Sequence, residues 1–200
     1  MFSLKPQIKN IEKKVLSDNW YTLYKIIFDY RLKDGRWVQQ IRESYDRGNG
    51  AAILLYNDEK ETVVLIRQFR MPSFLNGNDS GMLIETCAGL LDDNDPDTCI
   101  IKEVFEETGY SINSVEKVMQ AYMSPGAVTE IIHLYLGAYT DQMKVNKGGG
   151  LEEEHEEIEV LELPFSEALN MVVTGEIKDA KTIMLLQHLA LRKKVWLKNS

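Results

Sequence analysis

The stretch from Met82 to Tyr110 restricts what this 200-residue chain can fold into more than any other. Its first part, Met82-Leu83-Ile84-Glu85-Thr86-Cys87-Ala88, is a strand-like apolar run that ends at the turn glycine Gly89. After a polar loop, Pro96 supplies a helix entry and Gly109 an exit, so a helix is expected over Asp97 to Thr108. On it Glu103, Glu106 and Glu107 stand at i, i+3 and i+4, all on one face. Like charges at that spacing repel, and glutamates in such a pattern are ordinarily a solvated face with no chemistry. Here a strand, a turn glycine and a helix-ending glycine hold the acidic helix against a sheet. Among three crowded carboxylates the natural guest is a hard dication bound through oxygen.

The segment from Gly89 to Tyr110 resembles the Nudix box, Gly-x5-Glu-x7-Arg-Glu-U-x-Glu-Glu-x-Gly-U, in which U is an aliphatic or bulky apolar residue. Glu103, Val104, Glu106, Glu107, Gly109 and Tyr110 fill its second half without a gap. The first half departs: Lys102 stands in the place of the arginine, the loop is one residue short, and the slot of the early glutamate falls to Asn94 or Asp95. The resemblance implies an α/β fold, a Nudix α/β/α sandwich built on a mixed sheet.

The rest of the chain reads consistently with that fold. Trp20 to Lys33 carries aromatic and β-branched residues at alternating positions, Asp34-Gly35 is a hairpin signal, and Trp37 to Tyr45 returns as a second strand. Residues 1–46 are therefore expected to form an amino-terminal β-meander, and 47–200 the Nudix domain. A meander of this size cannot bury both faces alone and must pack on the core or cross to a partner subunit. Core strands are expected at Ala51 to Tyr56, Thr62 to Gln68, Gly81 to Cys87, Val115 to Met123, Ile131 to Tyr139 and Ile158 to Leu163. Two helices close the chain, Phe165 to Thr174 and Asp179 to Lys198, the second with Ile183, Leu186, Leu189 and Ala190 on one stripe.

Charge and cysteine usage narrow the partners. The formal net charge of -8 disfavours a nucleic-acid polymer, whose phosphate backbone needs a basic face, but leaves room for a small phosphorylated ligand. Cys87 and Cys99 lie among apolar residues and read as buried free thiols, which suits a reducing cytoplasm. The start, Met1-Phe2-Ser3-Leu4-Lys5-Pro6, lacks the features of a secretory signal, and the longest apolar runs are strand-length rather than membrane-spanning.

Beyond the box, Tyr122-Met123-Ser124-Pro125-Gly126 resembles a loop of the ADP-ribose and nucleoside-diphosphate-sugar branch of the Nudix family. Tyr45 to Gly50, Val64 to Arg70, Gly148-Gly149-Gly150 and Glu159 to Pro164 bring the resemblance to the GDP-mannose-cleaving members of that branch. It implies Mg²⁺, with Mn²⁺ as the alternative, held by Glu103, Glu107 and the Ala88 main-chain carbonyl, with Glu106 in a supporting catalytic role. It further implies substrate contacts from Trp20, Arg42, Glu43, Arg70, Ala88, Gly89, Leu90, Glu130, Glu153 and Lys181. A homodimer with exchanged amino-terminal strands completes the expectation, with GMP and mannose 1-phosphate as products. Lone Arg or Lys residues more often form surface ion pairs, and an aromatic such as Trp20 in an alternating strand more often packs in a core. Two other readings follow from the same branch, an ADP-ribose pyrophosphatase and an inactive nucleotide-sugar sensor, although a sensor would have little reason to keep all three box carboxylates.

The run Leu151-Glu152-Glu153-Glu154-His155-Glu156-Glu157 follows the three glycines. By composition it is a mobile solvated loop. By resemblance it folds over the metals and supplies a catalytic carboxylate that also reaches metal. Counting from Gly150 favours Glu154 for that role, with Glu153 the alternative.

Overall fold

The computed structural model describes residues 7–91, 95–151, 153 and 156–199, with side chains described as far as residue 193. The chain divides into two units: residues up to Asn49 together with Tyr122–Ile131, and Gly50–Ala121 together with Ile132–Ser200.

The first unit is a three-stranded antiparallel sheet in the order β1 (Ile8–Asp18), β2 (Thr22–Arg31), β3 (Trp37–Asp46). The β2–β3 register runs without a break from Thr22 opposite Asp46 to Arg31 opposite Trp37. As the Asp34-Gly35 pair requires, Gly35 takes a left-handed φ of 89° and its N–H closes the turn on the Leu32 carbonyl. Strand β1 is an addition to the meander that alternation did not reveal. It is charged and mostly exposed, Asn10 sits at a φ of 53°, and two register shifts break its period of two. Its lysines instead lie over aromatic rings of the sheet: Lys13 is 3.5 Å from the Tyr24 ring centre and Lys9 is 4.2 Å from that of Trp37. The Ser-Pro-Gly loop adds to the end of β3, where the Tyr45 N–H donates to the Ala127 carbonyl at 2.7 Å and Thr129 donates back to Tyr45.

The second unit is built on a mixed sheet in the order β10 (Glu159–Pro164), β5 (Thr62–Phe69), β4 (Gly50–Asn57), β9 (Ile131–Ala138), β8 (Glu116–Tyr122). β4 runs parallel to β9 and antiparallel to β5. Strand β4 is buried on both faces: Ala51, Ile53 and Leu55 point into a cluster with Ile100, Val104, Tyr135 and Tyr139, and Ala52 and Leu54 are equally buried on the other side. Helices α2 (Pro96–Glu103) and α4 (Ala180–Asn199) both pack on β4, and α3 (Phe165–Thr174) packs on β5, β10 and α4. The face of α4 that is buried differs from the expected stripe. It carries Thr182, Leu185, Leu186 and Leu189, at i, i+3, i+4 and i+7, while Ile183 and Ala190 are half-buried. A short helix α1 (Met71–Leu75), opened by Pro72 after Arg70, was not expected from the pattern.

The expected single strand from Gly81 to Cys87 is two strands. β6 (Met82–Glu85) pairs with β5, and β7 (Cys87–Leu90) leaves that partner to pair with β4. Thr86 sits at the break, fully buried, its N–H taken by the Thr182 hydroxyl at 2.7 Å. This switch of partner delivers Ala88 and Gly89 to the acidic helix.

Candidate active site

The box helix begins as its sequence requires. Asp95 is the N-cap, and its carboxylate accepts from the Asp97 and Thr98 N–H groups at 3.1 Å each, with Pro96 at the first helical position. One of the two residues competing for the early glutamate slot therefore serves as a helix cap, and Asn94 lies outside the described residues. Lys102, in the place of the family's arginine, forms an i,i+4 ion pair with Glu106 at 3.1 Å.

The last turn is not α-helical. Val104–Thr108 form a π turn, and Gly109 ends it in the left-handed region at a φ of 74°. The expected helical span is thus covered, but its final turn is wider, a form often found at functional sites. Glu107 is buried there, at 3 % exposure, and its Oε2 accepts from the Ala88 N–H at 3.2 Å. Glu103 reaches the same strand, since a methyl group added to Gly89 would fall on the Glu103 carboxylate. Glycine at 89 leaves room for that approach, with no backbone strain involved. Ala88, Gly89, Glu103 and Glu107 are brought together; Leu90 follows on β7, its carbonyl accepting from the Cys99 thiol at 3.0 Å.

Burial, opposed by contacts with Cys87 and Ala88 and reinforced by the charges of Glu103 and Glu156, pushes the Glu107 carboxyl up to about 8. A carboxylate is costly there without a cation, which makes the donor set suited to one. Among the described residues no three His, Cys, Asp or Glu side chains form a ready-made cage. Mg²⁺ needs none, because it binds through one or two carboxylates and completes its shell with waters and substrate phosphate oxygens.

The triple glycine is a strap across the end of this helix. The Gly149 N–H donates to the Glu107 carbonyl at 2.8 Å, the Gly150 N–H to the Glu106 carbonyl at 3.2 Å, and the Lys144 ammonium to the Thr108 carbonyl at 2.6 Å. Those carbonyls are among the ones a helix end leaves without intrahelical partners. Gly148, Gly149 and Gly150 all take positive φ, at 67°, 115° and 84°. Composition suggested a mobile solvated loop, but its base is anchored to the two box glutamates. Within the loop Glu153 is exposed, and Glu154 lies outside the described residues. Glu156, which counting from Gly150 does not favour, accepts from the Leu151 N–H at 3.1 Å, and its charge acts on Glu107.

Arg70 and Lys181 converge on a residue that the sequence reading did not single out. Glu85, 4 % exposed, accepts from the Arg70 Nε at 2.8 Å on Oε2 and from the Lys181 Nζ at 2.9 Å on Oε1. Lys181 also donates to Asp179 at 2.8 Å. Burial alone would lower the Lys181 ammonium; the Glu85 and Asp179 charges overcome it and hold its pKa above the ordinary lysine value. An acidic residue inside an apolar strand was the available signal, because a buried charge implies a partner.

The remaining expected residues belong to the first unit. Trp20 is 85 % exposed in the turn before β2, edge-on to Tyr21, so the usual packed-core fate of a strand aromatic does not apply. Arg42 donates to the Ile41 carbonyl and to Gln40, and Glu43 is exposed beside it. Glu130 is buried at 8 % and lies 3.4 Å from the Arg47 Nε.

Comparison with known proteins places both units. Residues 7–45 match the GDP-mannose pyrophosphatase NudK N-terminal domain, and residues 46–186 match the NUDIX domain. A GDP-mannose pyrophosphatase of Escherichia coli O139:H28 (strain E24377A / ETEC) is 58% identical over 183 residues, covering 92% of this chain and 95% of the relative. That of Shigella boydii serotype 4 (strain Sb227) matches to the same extent, and that of Escherichia coli O1:K1 / APEC is 57% identical over the same share of each chain. Among solved structures, one titled "Crystal structure of ADP compounds hydrolase" shares the fold, with a TM-score of 0.70 over 100% of this chain and 98% of that one, at 19% identity. With Glu103 and Glu107 of its box gathered on a glycine strand and the NUDIX match running through most of the molecule, the chain belongs to the Nudix family of hydrolases acting on diphosphate bonds.

Proposed function

We propose that this protein hydrolyses the diphosphate bond of a nucleoside diphosphate sugar, GDP-mannose, to GMP and mannose 1-phosphate. The observation that carries the reading is the match to GDP-mannose pyrophosphatases through the amino-terminal domain as well as the NUDIX domain. Glu103, Glu107 and the Ala88 carbonyl would hold Mg²⁺, or Mn²⁺ in its place. The cation would supply neutralisation of charge on the diphosphate and a lowered pKa for bound water.

The chain's own residues do the rest. Arg70 and Lys181 face the phosphate oxygens, and Ala88, Gly89 and Leu90 offer main chain to which a ligand can come close. Trp20, Arg42, Glu43 and Glu130 recognise the nucleotide and sugar, the exposed indole being free to stack on a purine. A carboxylate of the acidic run takes the proton of the attacking water, since the box glutamates are committed elsewhere and Glu106 is paired with Lys102. All three box carboxylates are present, which argues against an inactive sensor.

The direct test is incubation with GDP-mannose, ADP-ribose and other nucleoside diphosphate sugars plus Mg²⁺, with products separated by anion exchange. Release of GMP and mannose 1-phosphate at a kcat/KM above that for ADP-ribose is expected; the reverse order would assign the enzyme to ADP-ribose.

For the proton acceptor we propose Glu154, with Glu153 and Glu156 as competitors on the same loop. Glu154→Gln should depress kcat by roughly 100-fold or more with little change in KM, whereas Glu152→Gln should do little. Near-normal kcat in Glu154→Gln together with its loss in Glu156→Gln would move the role to the residue that already acts on Glu107.

The assembly proposed is a homodimer with exchanged amino-terminal strands. Support comes from the exposed Ile8, Ile11, Val15, Leu16, Trp37 and Ile41 of a small sheet that cannot cover both of its faces. Removing residues 1–45 should give a monomer with little activity; a truncated protein still dimeric by light scattering would refute the exchange. Two free cysteines, both buried, fit a reducing cytoplasm, and no described helix is long and apolar enough to cross a membrane. The acidic balance leaves a small-molecule ligand rather than a nucleic-acid polymer as partner.

A further inference from the structure

We propose that Glu85 is a positioning residue of this reaction, its buried carboxylate binding the Arg70 guanidinium and the Lys181 ammonium into one two-cation clamp for the substrate diphosphate. The inference rests on the hydrolytic reading above and adds to it a residue with no contact to substrate.

A carboxylate at 4 % exposure is destabilising unless its oxygens are satisfied. Glu85 gives one oxygen to each cation, Oε2 to Arg70 Nε and Oε1 to Lys181 Nζ. The two cations come from distant parts of the chain, Arg70 from the end of β5 and Lys181 from the first turn of α4, and Glu85 sets their separation. What each has left over is suited to an anion. Arg70 spends Nε on Glu85, its side chain is 42 % exposed, and its Nη donors take no part in that bond. Lys181 spends two of its three N–H groups, on Glu85 and Asp179.

The same segment fixes the clamp relative to the acidic helix. Glu85 ends β6, Thr86 is locked by its N–H to the Thr182 hydroxyl, and Ala88 follows with its N–H on Glu107. Thr182 is in turn held by Asp179, whose other oxygen takes Lys181. Carboxylates for the cation and cations for the diphosphate are therefore anchored to four consecutive residues. Two positive groups held by a single buried negative one keep their reach toward phosphate, whereas an exposed lysine or arginine would lose rotamer freedom on binding.

The test compares Glu85→Gln and Glu85→Asp with Arg70→Ala and the double variant Glu85→Gln/Arg70→Ala. KM and kcat for GDP-mannose at saturating Mg²⁺ are one readout, and equilibrium titration with inorganic diphosphate the other. Glu85→Gln should raise KM and weaken inorganic diphosphate by roughly tenfold or more, with kcat and the Mg²⁺ activation concentration each within about threefold of wild type. The double variant should be little worse than Arg70→Ala, because both changes remove the same clamp. Glu85→Asp, which keeps the charge at shorter reach, should recover part of the loss. It also decides the matter if Glu85→Gln does not fold. Wild-type affinities in the folded Glu85 variants, or losses that add in the double variant, would reduce Glu85 to a structural ion pair and overturn the proposal. So would a wild-type protein that does not bind inorganic diphosphate. If wild type binds inorganic diphosphate yet leaves GDP-mannose intact, the substrate assignment falls while the titration still decides the clamp.

Discussion

Glu107→Gln is expected to lower turnover by two or more orders of magnitude while raising the melting temperature of the metal-free protein. The loss of rate would follow from removing a buried charge that, on the reading proposed above, balances a cation at the reaction centre. The gain in stability follows from linkage. Burial and the neighbouring Glu103 and Glu156 charges keep the native Glu107 carboxyl protonated up to about pH 8, whereas the unfolded chain ionises near its ordinary 4.5. Between those values the native state binds the extra proton, so this carboxyl's contribution to stability falls as pH rises from about 4.5 to about 8. Glutamine has no such titration. The advantage of the variant should therefore be small at pH 5 and largest near pH 8, at ~2–4 °C for each kcal/mol relieved. Adding Mg²⁺ should raise the wild-type melting temperature and leave that of Glu107→Gln nearly unchanged, because binding needs the ionised carboxylate. Equal turnover, or a metal-free variant that melts below wild type across this range, would remove Glu107 from the site.

How much of this was legible in the sequence depends on where the signal lay. The acidic helix was readable because its information is local: the Pro96 entry, the Gly109 exit and the spacing of Glu103, Glu106 and Glu107 all fall within one element. Even there the π turn was hidden, since the same residues at the same spacing serve either kind of turn. Strand β1 escaped because bulges break the alternation by which a strand is recognised. The division of β6 from β7 has no local mark either. Both halves are apolar, and the break exists only because one pairs with β5 and the other with β4. Glu85 shows the same limit in the site. Its partner Lys181 is 96 residues away, and only the folded sheet joins the two. The acidic run was read by its composition, which says loop, while its anchoring depends on carbonyl groups that every residue possesses.

That anchoring leads to the second large effect. Gly148→Ala is expected to lower both stability and turnover, because position 148 cannot accept a Cβ for two separate reasons. Its φ of 67° is left-handed, which costs a non-glycine residue about 1–2 kcal/mol. A methyl group there would also meet main-chain atoms of Glu107 and Thr108, which cannot rotate away as a side chain could. Together these should lower the melting temperature by roughly 5–10 °C at ~2–4 °C per kcal/mol. Turnover should fall by about tenfold or more, since the Gly149 and Gly150 hydrogen bonds to the Glu107 and Glu106 carbonyls would shift, and misplacing catalytic groups by about 1 Å is already costly. Gly175→Ala separates the two causes. Gly175 has a similar φ of 80° at the end of α3, yet open space surrounds it. It should lose about 1 kcal/mol of stability and keep full kcat. If Gly148→Ala behaved no differently from Gly175→Ala, the strap would be a chain connection with no hold on the box helix, and the placement of the acidic loop would have to come from elsewhere.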